Sequence, residues 1–257
     1  MRFGFAASAP FGADVLERLA PNHEIAFVLT QPDAPAGRGR GLRPAPAKLK
    51  AMQLGLPVVE SLDEPLDADT IVLVAYGRLI PAALLDRHLW LNVHPSLLPR
   101  WRGAAPVERA IMAGDAETGV TVIKLVEELD AGPIAAQRSF PVGEDAGAVY
   151  DRAAEVGAEL LEQVLPDPQF TPQPGEGVTY AEKIGPADRV LDLSRPEEAL
   201  NRIRALSPHI GARAELQRRP VTIWRAHLQD GALVPDEVQP AGGNRMSYQA
   251  FLRGLRD

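Results

Sequence analysis

Asn92 and His94 are the residues whose types and spacing most directly indicate chemistry. They are separated by one residue at the end of a predicted strand, residues 90–94, so their side chains point to the same face. A carboxamide and an imidazole aimed together can donate hydrogen bonds to an oxygen that gains negative charge during a reaction. Pro95 and Pro99 then break the strand, and open α/β sheets bind their ligands at such strand ends. The alternative interpretation is a pair of polar groups that only caps the strand.

A third candidate, Asp130, is a carboxylate in a predicted loop, directly before Ala131 and Gly132. Beside an imidazole, this carboxylate would orient the ring and accept a proton, directly or through water. The alternative is an aspartate that only forms a turn, which is common before small residues. Glu127 and Glu128 are alternative candidates for the same role, but we expect them to lie on the exposed surface of the loop.

Nucleophilic and metal chemistry are not indicated. The chain contains no cysteine, which excludes disulfides, thiolate nucleophiles and cysteine-ligated metal. Ser96 lacks the sequence context of a nucleophile elbow, and the histidines other than His94 show no metal-ligand spacing. We therefore expect no metal site.

The elements that must position these residues follow from hydrophobic periodicity. Strands alternate with helices over the first ~100 residues, which predicts a mostly parallel, doubly wound sheet. Residues 31–47 are dense in Pro and Gly and predict a long loop, whereas residues 146–165 have the period of a long helix. The segment after the first strand lacks the glycines of a dinucleotide site. The sequence therefore predicts an α/β fold without a nucleotide-phosphate loop.

Length and composition exclude some classes of protein. The 257 residues, 46% of them hydrophobic, are enough for one large domain or two modest ones. No apolar run reaches the roughly 18 residues that cross a bilayer. The N-terminal residues predict a strand and lack the features of a signal peptide. We therefore expect a cytoplasmic protein without a membrane partner.

Charge is distributed unevenly along the chain. The net charge of −7 argues against nucleic acid as a partner, but residues 34–59 contain no Asp or Glu. Phosphate contacts require local positive charge and not a basic whole. The basic side chains that could make such contacts are Arg38, Arg40, Arg43, Lys48 and Lys50. An ordinary solvated loop is an equally weighted alternative.

Several separated motifs occur in the order that a known family shows. They are Asn92-Val-His94, Ser96-Leu-Leu-Pro-Arg-Trp-Arg-Gly-Ala-Ala-Pro106, Ala113-Gly-Asp-Ala-Glu-Thr-Gly-Val-Thr121, Leu129-Asp-Ala-Gly132, Thr30-Gln-Pro-Asp33 and Pro35-Ala-Gly-Arg-Gly39. Over most of residues 1–185 the chain resembles the formyltransferases that use 10-formyltetrahydrofolate, and within them the branch that formylates methionyl-tRNA. The resemblance implies a Rossmann-like catalytic domain in which Asn92, His94 and Asp130 hold the catalytic positions.

The resemblance also implies a binding site for 10-formyltetrahydrofolate, the formyl-donor cosubstrate, without a metal. The residues that it places at this site are Ser96, Leu97, Leu98, Pro99, Arg78, Leu79, Ile80 and Val126. Plain core packing is the alternative for Leu79 and Ile80. For Arg100, Trp101 and Arg102 the choice lies between substrate contact and bracing of their own loop, with bracing slightly favoured.

The basic residues 35–50 match an inserted loop that, in the methionyl-tRNA branch, reaches the acceptor stem. The resemblance therefore implies that initiator methionyl-tRNA is bound by Arg38, Arg40, Arg43 and Lys48. Two departures from the family wording occur at backbone-sensitive places. Residues 7–10 replace the usual Gly-Thr-Pro, and Pro95 replaces the usual glycine after the catalytic histidine.

The C-terminal part resembles the small domain of the tRNA formyltransferases, an open OB-like β-barrel, in shortened form. The segment between Ala226 and Val238 contains too little predicted strand for a complete barrel, and residues 166–175 are rich in proline. We predict a catalytic domain over residues 1–165, a linker over 166–185 and a shortened OB-like domain over 186–257.

The expected function is transfer of the formyl group to the α-amine of methionyl-initiator tRNA, by direct attack through a tetrahedral intermediate, and the expected state is a monomer. The alternatives are an N-formyltransferase for an amino sugar nucleotide or another small amine, a hydrolase that releases formate from the same folate, and a non-catalytic module that binds tRNA or folate. The basic loop favours tRNA over a small amine, and the shortened barrel favours the small amine.

Overall fold

The computed structural model of the chain describes residues 1–36 and 41–255. The strands, in chain order, are β1 (Arg2–Ala7), β2 (Glu24–Leu29), β3 (Ala34–Ala36), β4 (Gly41–Arg43), β5 (Val58–Val59), β6 (Thr70–Val74), β7 (Leu89–His94), β8 (Arg102–Gly103), β9 (Glu117–Lys124), β10 (Ile134–Pro141), β11 (Tyr180–Ala181), β12 (Ala212–Leu216), β13 (Arg219–Gln229), β14 (Ala232–Pro240) and β15 (Met246–Ser247). The helices are α1 (Pro10–Leu19), α2 (Pro46–Gln53), α3 (Ala82–Leu85), α4 (Pro106–Met112), α5 (Ala146–Val164), α6 (Pro196–Leu206) and α7 (Tyr248–Arg253), with a 3₁₀ turn at Ala187–Arg189.

The chain forms two compact units. The first contains Met1–Arg102, Gly119–Ser139 and Asp151–Thr179, and the second contains Gly103–Thr118, Phe140–Tyr150 and Tyr180–Asp257. The sequence-based division into a catalytic domain (1–165), a linker (166–185) and a C-terminal domain (186–257) remains a prediction.

The framework of the first unit is a seven-stranded sheet with the strand order β10-β9-β7-β6-β1-β2-β5. The pairs β1–β2, β1–β6, β2–β5 and β6–β7 are parallel, and β7–β9 is antiparallel. The central strands are buried along nearly their whole length, as expected for strands of a parallel sheet that is covered on both faces. The predicted α/β fold with a mostly parallel sheet is confirmed.

Proline marks where four of the helices begin. Pro10, Pro46, Pro106 and Pro196 are the first residues of α1, α2, α4 and α6. The first N–H of a helix has no intrahelical partner, so its absence in proline does no harm there, and the ring holds φ near the helical value. The loop–helix boundaries are therefore encoded locally in the sequence.

A hydrophobic cluster supports the strands that carry the candidate site. It includes Phe27, Ile71, Tyr76 and Trp90, each less than 5% exposed. The indole Nε1 of Trp90 donates a hydrogen bond to the carbonyl oxygen of Leu84 at 2.9 Å, which ties β7 to helix α3. The start of β7 is therefore held by burial and by a satisfied polar contact.

The second unit contains a four-stranded antiparallel sheet with the order β12-β13-β14-β15. Strands β13 and β14 continue through the region that the sequence indicated to be short of strand, because only Asp230 and Gly231 form the turn between them. Both have positive φ, of 51° and 75°, as two-residue hairpins require. The predicted small, sheet-rich C-terminal part is confirmed, and its core includes Ile223, Val238 and Phe251.

Within residues 1–36 and 41–255, the structure contains no helix that is long and apolar enough to span a membrane.

Candidate active site

Asn92, His94 and Asp130 converge at the carboxyl end of β7. Asn92 and His94 are 6% and 4% exposed on the same face of the strand, and Asp130, 8% exposed, follows β9, the antiparallel neighbour of β7. The amide Nδ2 of Asn92 donates to Oδ1 of Asp130 at 3.2 Å. The Nδ1 of His94 lies 3.7 Å from Oδ2 of the same carboxylate. The three side chains therefore surround one point, although 38 residues separate Asn92 from Asp130.

The second contact of the imidazole decides which of its nitrogens carries hydrogen. Nε2 of His94 lies 2.8 Å from the carbonyl oxygen of Trp101. A carbonyl oxygen can only accept a hydrogen bond, so Nε2 carries its hydrogen in this arrangement. Nδ1 is consequently the nitrogen that faces Asp130 and the space beside it. With its hydrogen on Nε2, the neutral ring offers Nδ1 as an acceptor, and Nδ1 can donate the expected hydrogen bond to a substrate oxygen only when the ring carries a second proton.

Asp130 is held in a turn of unusual backbone conformation. Its φ is +48°, in the left-handed region that aspartate adopts more readily than most residues. A Cβ at Gly132 would collide with the carbonyl oxygen of Lys124. Only glycine therefore fits at position 132, which explains sterically why the motif Asp130-Ala-Gly132 ends in glycine.

Side chains of β9 and β10 hold the loop of residues 96–99 through hydrogen bonds to its backbone. Thr121 Oγ1 donates to the carbonyl oxygen of Ser96 at 2.7 Å and accepts from the backbone N–H of Leu98 at 3.1 Å. Gln137 Nε2 donates to the carbonyl oxygen of Leu98 and to Thr121 Oγ1. The hydroxyl of Ser96, fully buried, donates to the carbonyl oxygen of Arg100 at 2.7 Å.

The residues expected to contact the folate thus differ in exposure. Ser96 and Leu98 are buried, whereas Leu97 and Pro99 are half-buried. The Ser96 hydroxyl bonds to the carbonyl oxygen of Arg100, and the Leu98 backbone bonds to Thr121 and Gln137. Leu79 is 83% exposed, which rules out core packing for it, whereas Ile80 packs against the cluster that contains Trp90. Two more members of the set remain accessible, the exposed Arg78 and the half-buried Val126.

The expected tRNA-binding residues also separate into two kinds. Arg43 is exposed on β4, which pairs with β3 as a hairpin. The ammonium group of Lys48 contacts Asp33 at 2.5 Å and Glu60 at 2.8 Å. Hydrogen bonds to Asp33 and Glu60 raise the pKa of Lys48 above its ordinary value. Arg38 and Arg40 lie outside the described residues.

Comparison with known proteins identifies the family. Residues 3–165 match the family described as formyl transferase. A methionyl-tRNA formyltransferase of Ruegeria pomeroyi is 44% identical, in an alignment covering 93% of this chain and 85% of that protein.

The chain belongs to the formyl transferase family. The resemblance stated from the motifs is thereby confirmed.

Two solved structures with low sequence identity share the fold of this formyl transferase. Methionyl-tRNA formyltransferase from Clostridium thermocellum aligns with a TM-score of 0.67 at 17% identity, covering 93% of this chain and 98% of that one. HypX from Aquifex aeolicus in complex with tetrahydrofolic acid aligns with a TM-score of 0.71 at 20% identity, covering 98% of this chain and 47% of that one. At these identities the likeness concerns the fold alone.

Sequence reasoning missed several side chains that support the site of this formyl transferase. Thr121 and Gln137 fasten the loop after β7, and Gln173 bonds to the turn of Asp130. Thr121 ends a family motif, which was a usable signal. Gln173 follows the matched region, in a proline-rich segment that carried no such signal. In the part of the chain that the structure describes, no group of three or more His, Cys, Asp or Glu side chains could hold a metal ion.

Proposed function

We propose that this chain transfers the formyl group of 10-formyltetrahydrofolate to the α-amine of methionyl-initiator tRNA, as a cytoplasmic monomer. The observation that carries the proposal is the convergence of Asn92, His94 and Asp130 within 3.2 and 3.7 Å in a chain of this family. Acyl transfer to an amine needs donors for a developing negative charge, a proton acceptor and control of water. These three side chains supply the first two of these requirements.

Each side chain has a role that follows from its contacts. An amide nitrogen carries two hydrogens, so Asn92 keeps one N–H directed at Asp130 and offers the other to the formyl oxygen. This dipole is already oriented before the reaction, the condition under which such donors are most effective. Asp130 lies beside His94 and accepts the proton that the attacking amine loses, directly or through a water molecule. The bond between the formyl carbon and the folate nitrogen breaks in the same transfer, and tetrahydrofolate is released with a proton on that nitrogen. His94 is oriented by Trp101 and contributes Nδ1 to the same space.

The accessible apolar residues suit a flat, partly apolar heterocycle. Leu79 is exposed without an evident packing role, and the half-buried Val126 follows Leu125, which packs against the same cluster as Ile80. Such walls, with backbone groups nearby to contact the ring edge, are typical of small-molecule sites. The cosubstrate, when bound there, supplies an activated formyl group.

The proposed tRNA contact is the hairpin of β3 and β4. Among the described residues, Arg43 on β4 is its exposed positively charged side chain. An arginine fork suits phosphates and base edges. Lys48 acts differently in this proposal: its two ion pairs join Asp33, before the hairpin, to Glu60, after β5, so it holds the base of the hairpin in place.

A substrate panel tests the proposal. Purified protein is given 10-formyltetrahydrofolate with charged initiator methionyl-tRNA, with elongator methionyl-tRNA or with amino sugar nucleotides, and formylated product and free formate are both quantified. We expect product with the initiator tRNA and none with the sugar nucleotides. Formylation of a sugar amine without formylation of tRNA would reject the substrate. Formate without formylated amine would indicate hydrolysis, and binding without turnover would indicate a non-catalytic module.

A further inference from the structure

Gln173 lies in the segment between the family-matched residues and the C-terminal sheet, and it contacts the turn of Asp130. Its Nε2 donates to the carbonyl oxygen of Asp130 at 2.7 Å and to that of Gly132 at 2.8 Å. Its Oε1 accepts from the guanidinium of Arg102, from Nε at 3.2 Å and from Nη2 at 2.7 Å. The side-chain amide therefore makes four hydrogen bonds, which is all that its donors and lone pairs allow.

The orientation of this amide is determined by its partners. Backbone carbonyl oxygens can only accept and a guanidinium can only donate, so the nitrogen must face the turn and the oxygen must face Arg102. Arg102 is itself 7% exposed, and its Nη1 contacts Glu128 at 3.3 Å. Glu128 lies two residues before Asp130, so the amide and the guanidinium together join both sides of the turn.

This arrangement acts on a backbone that needs support. The left-handed φ of Asp130 is unfavourable for a residue with a side chain and persists only where the surroundings hold it. Carbonyl oxygens within a turn that lack partners would be free to rotate towards solvent, and the Asp130 carboxylate would move with them. The segment is fastened at further points, because Thr171 pairs with Ile134 and Thr179 Oγ1 accepts from the backbone N–H of Trp101.

We propose that Gln173 is a positioning residue, which holds the backbone of Asp130 and Gly132 so that the Asp130 carboxylate stays against Asn92 and His94. The proposal rests on the proposed function for its kinetic consequence. It also assigns the predicted linker a role in the reaction, through a residue that lies after the family-matched residues 3–165.

Three variants separate this role from packing. Gln173→Leu removes all four hydrogen bonds. Gln173→Glu keeps the shape and the pairing with Arg102 but, as a carboxylate, puts an oxygen against two carbonyl oxygens. Gln169→Leu is the matched control, because Gln169 lies in the same segment and, among the described residues, its amide donates only to Asp167.

The kinetic measurement is kcat and KM for formylation of initiator methionyl-tRNA. We expect both Gln173 variants to lower kcat by about 10–100-fold, the range expected for a displacement on the order of 1 Å at a catalytic group. KM for both substrates should stay within about twofold, because no hydrogen-bond partner of Gln173 is among the residues proposed to bind folate or tRNA. Gln169→Leu should match the wild type. Rescue by Gln173→Glu would mean that pairing with Arg102 is the whole role, and it would overturn the proposal.

Hydrogen exchange gives a readout that does not depend on activity. The Gln173 variants should raise amide exchange in residues 128–133, because the turn opens more often without its carbonyl partners, whereas Gln169→Leu should not. Unchanged exchange in both Gln173 variants would overturn the proposal. A wild-type protein that formylates nothing would instead reject the proposed function, and the exchange data would still decide whether Gln173 holds the turn.

Discussion

The contacts of the three proposed catalytic residues, Asn92, His94 and Asp130, restrict how their side chains can be oriented. His94 uses Nε2 on the carbonyl oxygen of Trp101, and Asn92 uses one N–H on Asp130. Each side chain is thereby restricted to one orientation, and the remaining N–H of Asn92 and Nδ1 of His94 face the same space as the carboxylate. Orientation before binding is what makes a donor such as the Asn92 N–H effective, because no reorganisation is needed during the reaction.

The role of Asp130 predicts the effect of removing its charge. Asp130→Asn keeps the size of the side chain and an oxygen for Asn92 but removes the proton acceptor. We expect kcat to fall by about 10²–10⁴-fold, the usual contribution of a general base, with little change in KM or melting temperature. Steady-state kinetics and thermal unfolding are the measurements.

The matched control is Glu127→Gln, because Glu127 is an exposed carboxylate three residues earlier on the same loop. It should leave kcat unchanged. Equal losses in both variants would show that negative charge on the loop, and not the position of Asp130, supports the reaction.

At the scale of the elements, helix α4 carries Glu108, whose ionised form is made less favourable by partial burial. Burial is the largest cause that raises the pKa of Glu108, and the hydroxyl of Tyr150 donates to its two oxygens at 3.3 and 3.2 Å. Burial also raises the pKa of Tyr150 well above its ordinary value, with Glu108 adding to the effect. A half-buried carboxylate on a helix thus pairs with a phenol that stays neutral.

This pair predicts how stability depends on pH. A carboxyl group with a raised pKa in the folded state contributes its full stability below its ordinary pKa of 4.5, and this contribution is lost as the pH rises through the raised value. Glu108→Gln keeps a hydrogen-bonding oxygen for Tyr150 and cannot ionise. We expect the urea midpoint of the wild type to fall relative to that of Glu108→Gln between pH 4.5 and neutral pH.

The exposed Glu176 provides the control for this comparison. Glu176→Gln should follow the wild type across the same pH range. If Glu108→Gln shows the same pH dependence as the wild type, the ionisation of Glu108 does not contribute to it.

At the scale of the whole molecule, the proposed function requires a chain of net charge −7 to bind a polyanion. Local charge resolves the contradiction, since residues 34–59 contain no acidic side chain and a phosphate interacts chiefly with charges within a Debye length of about 8 Å. The cations of that region are not equivalent, because Lys48 is paired with two carboxylates and Arg43 is exposed.

The salt dependence of tRNA use separates these two cations. Arg43→Ala should weaken tRNA binding and reduce the slope of log affinity against log salt by about 1, as the loss of one phosphate contact does. Lys48→Met should leave the slope unchanged, because Asp33 and Glu60 already neutralise the ammonium group, and should instead lower the melting temperature. Binding titrations at several salt concentrations measure both, and an equal loss of slope in Lys48→Met would place Lys48 on the tRNA.

The sequence by itself determined the order and type of most elements and the chemistry available to the site. Hydrophobic periodicity and helix-starting prolines such as Pro106 act within a few residues, so the strands and helices could be predicted locally. The motif around Asn92 and His94 identified the family for the same reason, since its residues are adjacent in the chain.

Only the tertiary structure decided which of these groups meet. Asp130 approaches Asn92 across 38 residues, and Gln173 reaches Asp130 across 43. Such contacts depend on the register of β7 against β9 and on the path of the segment after α5, which no local pattern records. For the same reason the sequence did not reveal that Lys48, expected to bind tRNA, forms an ion pair with Glu60. It also did not reveal that Ser96, expected to bind folate, is fully buried.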